Sequence, residues 1–152
     1  MARAVTTKYE ELILEVEFTP ASGTYLAVCG MTDASVTRSS NVDESEIPDC
    51  ADESLPMAIE RQVRSQSVSI SASGVWALSS HEKMMDWWYG GATLSARWRN
   101  SKVEADGATG DTTIETGDAL LVSLNNSRTK GQKVTAEIEL QFDGLPVRTA
   151  KA

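Results

Sequence analysis

From Val134 to Phe142 every second residue is apolar. Val134, Ala136, Ile138, Leu140 and Phe142 share one side, and Thr135, Glu137, Glu139 and Gln141 share the other. A period of two fits a strand with one face in a core and the other outside, and a helix cannot satisfy it. The same period recurs along the chain. Leu12, Leu14, Val16 and Phe18 oppose Ile13, Glu15 and Glu17, while Val68, Ile70 and Ala72 oppose a row of serines. Leu94, Ala96 and Trp98 oppose Arg97 and Arg99, and Leu120, Val122 and Leu124 alternate with Leu121 against the pattern. This many strands predicts a mainly β fold, either a β-sandwich or a partly closed barrel. The segments at 120–124 and 134–142 are neighbours in sequence, so an antiparallel hairpin is their simplest pairing.

One helix interrupts the strands. Ser79-Ser-His-Glu82 has the spacing of a capping box, Met84, Met85, Trp87 and Trp88 follow it, and Gly90-Gly91 ends it after about three turns. So short a helix holds only if its aromatic face packs on a sheet or on a neighbouring subunit. Met84, Trp87, Trp88 and Trp98 are therefore the candidates for helix or subunit packing.

Two stretches read as irregular. Residues 100–117 contain Asp106-Gly107, Gly110-Asp111 and Gly117, which suggests a polar loop or loose hairpin. Residues 41–60 contain Pro48 and Pro56, and their only charged side chains are Asp43, Glu44, Glu46, Asp49, Asp52, Glu53 and Glu60. That composition predicts a long, exposed acidic loop. The 152 residues as a whole fit a single domain, 1–152, large enough to fold without a metal or disulfide.

Little in the sequence points to catalysis. The net charge of -8 opposes a grip on nucleic-acid phosphates. No secretory signal and no 18-residue apolar run is present, so no membrane association is expected. His81 is the sole histidine, and nothing in the carboxylate spacing selects an acid–base pair. Cys29 and Cys50 admit three readings: free thiols, a disulfide closing 29–50, or a metal site with His81 and a carboxylate. No catalytic, cofactor-binding or metal residues are assigned, and a non-enzymatic role is expected. Trp76, Trp87, Trp88 and Trp98 keep one alternative open, a carbohydrate-binding or adhesin-like module that stacks sugars on indoles.

A resemblance runs over nearly the whole chain. It is carried by Val28-Cys-Gly-Met-Thr32, Pro48-Asp-Cys50, Glu60-Arg-Gln-Val-Arg-Ser65 and Ser69-Ile-Ser-Ala-Ser-Gly74, then the Trp87-Trp88 helix and a closing strand ending in Asp143-Gly144. In these pieces the chain resembles the tail tube proteins, or major tail proteins, of long non-contractile-tailed phages and related phage-like particles. The resemblance implies a β-sandwich with a flanking helix and a long loop or hairpin. It also implies hexameric rings that stack into a tube, whose acidic channel conducts DNA without binding it specifically. The implied location is a virion tail assembled in the host cytoplasm, beside tape measure, terminator and baseplate or distal tail proteins. On this chain, 41–60 is similar to the family's inter-ring loop, with Asp43, Glu44, Glu46, Asp49, Asp52 and Glu53 as its candidate residues. Glu15, Glu17, Glu137 and Glu139 are candidates for exposed, lumen-facing positions, and Cys29 and Cys50 match a cysteine pair of the family. A tail terminator or head-tail connector is the alternative within the same particle.

Overall fold

The computed structural model describes residues 2–152. Eight strands form one antiparallel sheet: β1 (Leu12–Val16), β2 (Leu26–Ala27), β3 (Met31–Ile47), β4 (Ala58–Val75), β5 (Leu94–Asn100), β6 (Thr112–Ser127), β7 (Thr135–Phe142) and β8 (Val147–Ala150). Their order is β2-β1-β5-β6-β7-β4-β3, with β8 paired to β6. Two helices, α1 (Leu78–Gly90) and α2 (Ser101–Asp106), flank or connect the strands.

The sheet pivots on β6. One edge of β6 pairs with β5, and the other pairs first with β8 and then with β7. Around this pivot the sheet curls, so that Leu14 and Val16 of β1 share one core with Val68 and Ile70 of β4 and with Ile138 and Leu140 of β7. Val16, Ile70 and Leu140 are the largest fully enclosed side chains. Each contributes about 1.5–3 kcal/mol through removal from water. The ends of the curl meet through a hydrogen bond that the Tyr9 hydroxyl donates to the Met31 carbonyl, 2.5 Å away. No ladder joins them, so the sheet is a partly closed sandwich and not a barrel.

Most strand faces follow the sequence pattern, but β6 reverses it. Ala119 and Leu121 are buried, while Leu120 and Val122 are exposed. A bulge between Leu121 and Ser123 resets the register, which returns Leu124 to the core side opposite Ile138.

Helix α1 packs Met84 and Trp87 into the core. The Trp87 indole donates to the Ala92 carbonyl at 2.8 Å and meets Phe18 edge-on at 6.4 Å. The expected capping box is not formed: the helix begins at Leu78, its cap residue is Ala77, and no side chain caps it. At the other end Gly91 adopts φ +62°, and its N–H closes onto Trp87 and Trp88 as expected. Residues 100–117 also differ from expectation, since they contain α2 and the start of β6. Asn100 caps α2 by accepting from the Lys102 and Val103 amides.

The segment read as an acidic loop is the distal half of a long hairpin. β3 and β4 pair from Met31↔Gly74 to Ile47↔Ala58, and only residues 48–57 form the connecting tip. β4 has a second neighbour, β7, over Ser69–Val75 alone. Val68 still packs into the core and Arg38 opposite it pairs with Glu115 of β6, so the two strands stand free as an arm with both faces in solvent from Ser67 outward. From Val75 to Ala58 the ladder spans about 55 Å at ~3.3 Å per residue. At its base the backbones of Gly30 and Gly74 touch so closely that a Cβ on Gly74 would lie 2.1 Å from the Gly30 carbonyl oxygen.

Candidate assembly surfaces

An isolated two-stranded hairpin is marginal in water. The arm is held by polar cross-strand pairs: Ser39 with Ser67, Asn41 with Ser65, Arg61 with Glu44 at 2.8 Å and Arg64 with Asp43 at 3.6 Å. Exposed ion pairs of this kind supply only about 0–1 kcal/mol each. The tip is ordered by its own aspartates. Asp49 accepts from the Ala51 and Asp52 amides, and Asp52 accepts from the amide and hydroxyl of Ser54. The Ser54 hydroxyl and amide hold the Asp52 carboxyl below its usual value. The arm also exposes Ile47, Leu55, Met57, Ile59 and Val63. Apolar side chains in this number, on a projection with no core of its own, make the arm a candidate contact surface. All six acidic candidates, from Asp43 to Glu53, lie on this arm or its tip.

A second surface covers the outer face of β3, β4, β7 and the end of β6. Registered partners point the same way, so Asp33, Ser35 and Thr37 lie beside Ser73, Ser71 and Ser69, which lie beside Glu137, Glu139 and Gln141. Ser123 and Asn125 continue the face opposite Glu139 and Glu137. Of these, Asp33, Ser35, Ser71, Ser73, Glu137, Glu139, Ser123 and Asn125 line an open groove of about 610 Å³. Hydroxyls, carboxylates and the amides of Asn125 and Gln141 make up this face, and no basic residue lines the groove.

Glu137 and Glu139 thus share this acidic face. Glu15 does not, and the expectation that it is exposed is corrected. It is buried at 7% exposure, accepts from Arg97 at 3.0 Å and lies 3.8 Å from Arg99. Arg97 in turn lies over the Tyr25 ring at 4.3 Å. Glu17 is turned into the following loop, where it accepts from the Ala21 and Gly23 amides.

The tryptophans do not share a platform. Trp87 and Trp98 are in the core, Trp76 meets His81 at 5.0 Å with the rings tilted by 46°, and only Trp88 is substantially exposed, against Tyr89. Cys29 and Cys50 are free and exposed at opposite ends of the hairpin. Roughly 50 Å of ladder separates them, whereas a disulfide requires Cα atoms within about 7 Å. Among the described residues no cluster of His, Cys, Asp or Glu could hold a metal. The hairpin expected between 120–124 and 134–142 carried no role for its loop, and there the structure adds a third surface, the β6–β7 loop with Arg128, Lys130 and Lys133.

A curled β scaffold, a free-standing arm and a polar sheet face, with no converging chemical groups, describe a building block whose features serve contact with other chains. The phage tail tube protein family matches residues 6–148, and the chain belongs to that family. It is accordingly a structural, non-catalytic subunit of a virion tail tube. Solved structures share the fold. The tail of an empty gene transfer agent particle with C6 symmetry is 15% identical, covers 95% of this chain and 100% of its own, and has a TM-score of 0.70. The SPP1 tail tube is 12% identical over 96% of this chain and 80% of its own, with a TM-score of 0.67. The sheath-tube complex of an extracellular contractile injection system is 14% identical over 95% and 92%, with a TM-score of 0.61. Among curated proteins no sequence matches.

Proposed function

We propose that this chain forms hexameric rings that stack into a hollow tube, through which DNA passes during genome delivery. The observation that carries the reading is the arm: about 30 Å of paired strands between Ala58 and Ser67, exposed on both faces, too polar to fold back and too apolar to remain uncovered. An arm of this length reaches beyond its own ring. The hydroxyl and carboxylate face of β3, β4 and β7 is assigned to the channel, with Glu137 and Glu139 as its acidic wall. Six copies at -8 each bring -48 to a ring. A wall of that sign repels phosphate, so DNA slides and does not adhere. Ring closure would also cover the open edge of β3, which otherwise invites uncontrolled pairing. Tape measure, terminator and baseplate or distal tail proteins are the expected neighbours inside the tube and at its ends.

Negative-stain microscopy of the concentrated full chain tests this, with tubes of stacked rings as the expected result. A variant in which residues 42–64 are replaced by Asn-Gly should remain folded by circular dichroism and form at most single rings. Monomers of the native chain under all assembly conditions would refute the proposal.

A further inference from the structure

The two ends of the subunit are complementary, and we infer that the arm tip of one copy docks on the β6–β7 loop of a copy in the next ring. This rests on the tube reading and specifies its stacking contact. β4 begins at the tip with Ala58 and ends at the base with Val75, which pairs with Thr135 immediately after the loop. The loop and the tip are therefore at opposite ends of the long axis.

Their charges are opposite. Between Asp118 and Glu137 the chain carries Arg128, Lys130 and Lys133 and no acidic residue. Along the arm, Arg61 and Arg64 neutralise Glu44 and Asp43, which leaves Glu46, Asp49, Asp52, Glu53 and Glu60 as the uncompensated charges at and beside the tip. Hydrogen bonds from Ser54 lower the Asp52 carboxyl from its ordinary value. Each end also exposes apolar side chains beside its charges. Ile47, Leu55 and Met57 surround the tip, while Val75, Leu78 and Val134 surround the base. The Trp76 amide bonds the Val134 carbonyl at 2.8 Å, which fixes the loop to this base. An interface with an apolar centre and a charged rim of opposite signs on its two sides has the composition of a specific contact. Because the two patches sit at opposite ends, each copy offers one and receives the other, and the arrangement propagates along an axis.

A charge-swap experiment on the full chain tests the inference. Glu46 and Glu53 are the residues to change, because the tip's internal hydrogen bonds run through Asp49 and Asp52. Arg128→Glu/Lys130→Glu should reduce the number of tubes at least tenfold while rings persist, and Glu46→Lys/Glu53→Lys should do the same. A chain carrying all four substitutions should regain tubes. Tubes indifferent to either reversal, loss of rings instead of stacking, or a folded four-fold variant without tubes would each overturn the docking while leaving the tube reading intact. A native chain that never forms rings or tubes would overturn both.

Discussion

Identical substitutions should act in opposite directions at two glycines. At Gly74 a Cβ would overlap the Gly30 carbonyl oxygen at 2.1 Å and approach the Thr32 amide at 2.7 Å, both rigid backbone. Gly74→Ala is expected to cost about 3 kcal/mol or more, read as a lowered urea midpoint. At Gly90 a Cβ meets nothing within 4 Å and lies at the end of a helix, so Gly90→Ala should gain about 0.5–1 kcal/mol. Glu15 is the other residue whose environment decides its role. Glu15→Ala strands Arg97 and brings it into the field of Arg99 without a counter-charge, at a cost of roughly 1–3 kcal/mol in thermal or chemical unfolding. The sequence could not show this, because an alternating strand places Glu15 with the outward residues. Its partners, Arg97 and Arg99, come from β5, which the sheet registers beside β1.

Among the elements, α2 and α1 begin in different ways, and the difference is measurable. Asn100→Ala removes the acceptor for two amides and should cost about 1 kcal/mol, whereas Ser79→Ala removes no cap and should stay within ~0.5 kcal/mol. Helix α2 also carries the exposed Lys102–Asp106 pair at 2.6 Å. Lys102 holds the Asp106 carboxyl below its ordinary value, so the pair's contribution is complete above that value and is lost as pH falls through the lowered one. In the other direction Asp106 raises Lys102, whose share is lost only as pH rises through the raised lysine value. Strands with one buried face, such as β5 and β7, were legible because alternation follows burial. The arm was not, since both of its faces meet solvent and its side chains owe nothing to a core. In β6 the bulge at 121–123 inserts one residue into the count, so a single parity cannot hold along the strand: Leu124 is on the core side as read, and Leu120 and Val122 are on the opposite face. Helix α2 left a local signal that went unused, with Asn100 at the cap and the i,i+4 spacing of Lys102 and Asp106.

At the scale of the whole molecule, the excess of acid was legible from composition, but its direction was not. Only the strand register gathers Asp33, Glu137 and Glu139 onto one face with the serines of β4. If that face lines the channel, reversing its charge should turn a passage into a binding surface. Glu137→Lys/Glu139→Lys takes each chain from -8 to -4 without touching the arm or the β6–β7 loop, so stacking should survive. Neither carboxylate is in an ion pair among the described residues, and their registered neighbours Ser73, Ser71, Ser123 and Asn125 are uncharged, so the fold should tolerate lysine. Tubes of the variant should retain short duplex DNA at low ionic strength and release it steeply as salt rises, because each lysine–phosphate contact displaces condensed counterions. Native tubes should retain none under the same conditions. Microscopy then separates the outcomes: DNA inside the variant tubes places this face at the lumen, whereas DNA coating their outer wall, or no retention at all, would place the channel on a different face of the sheet.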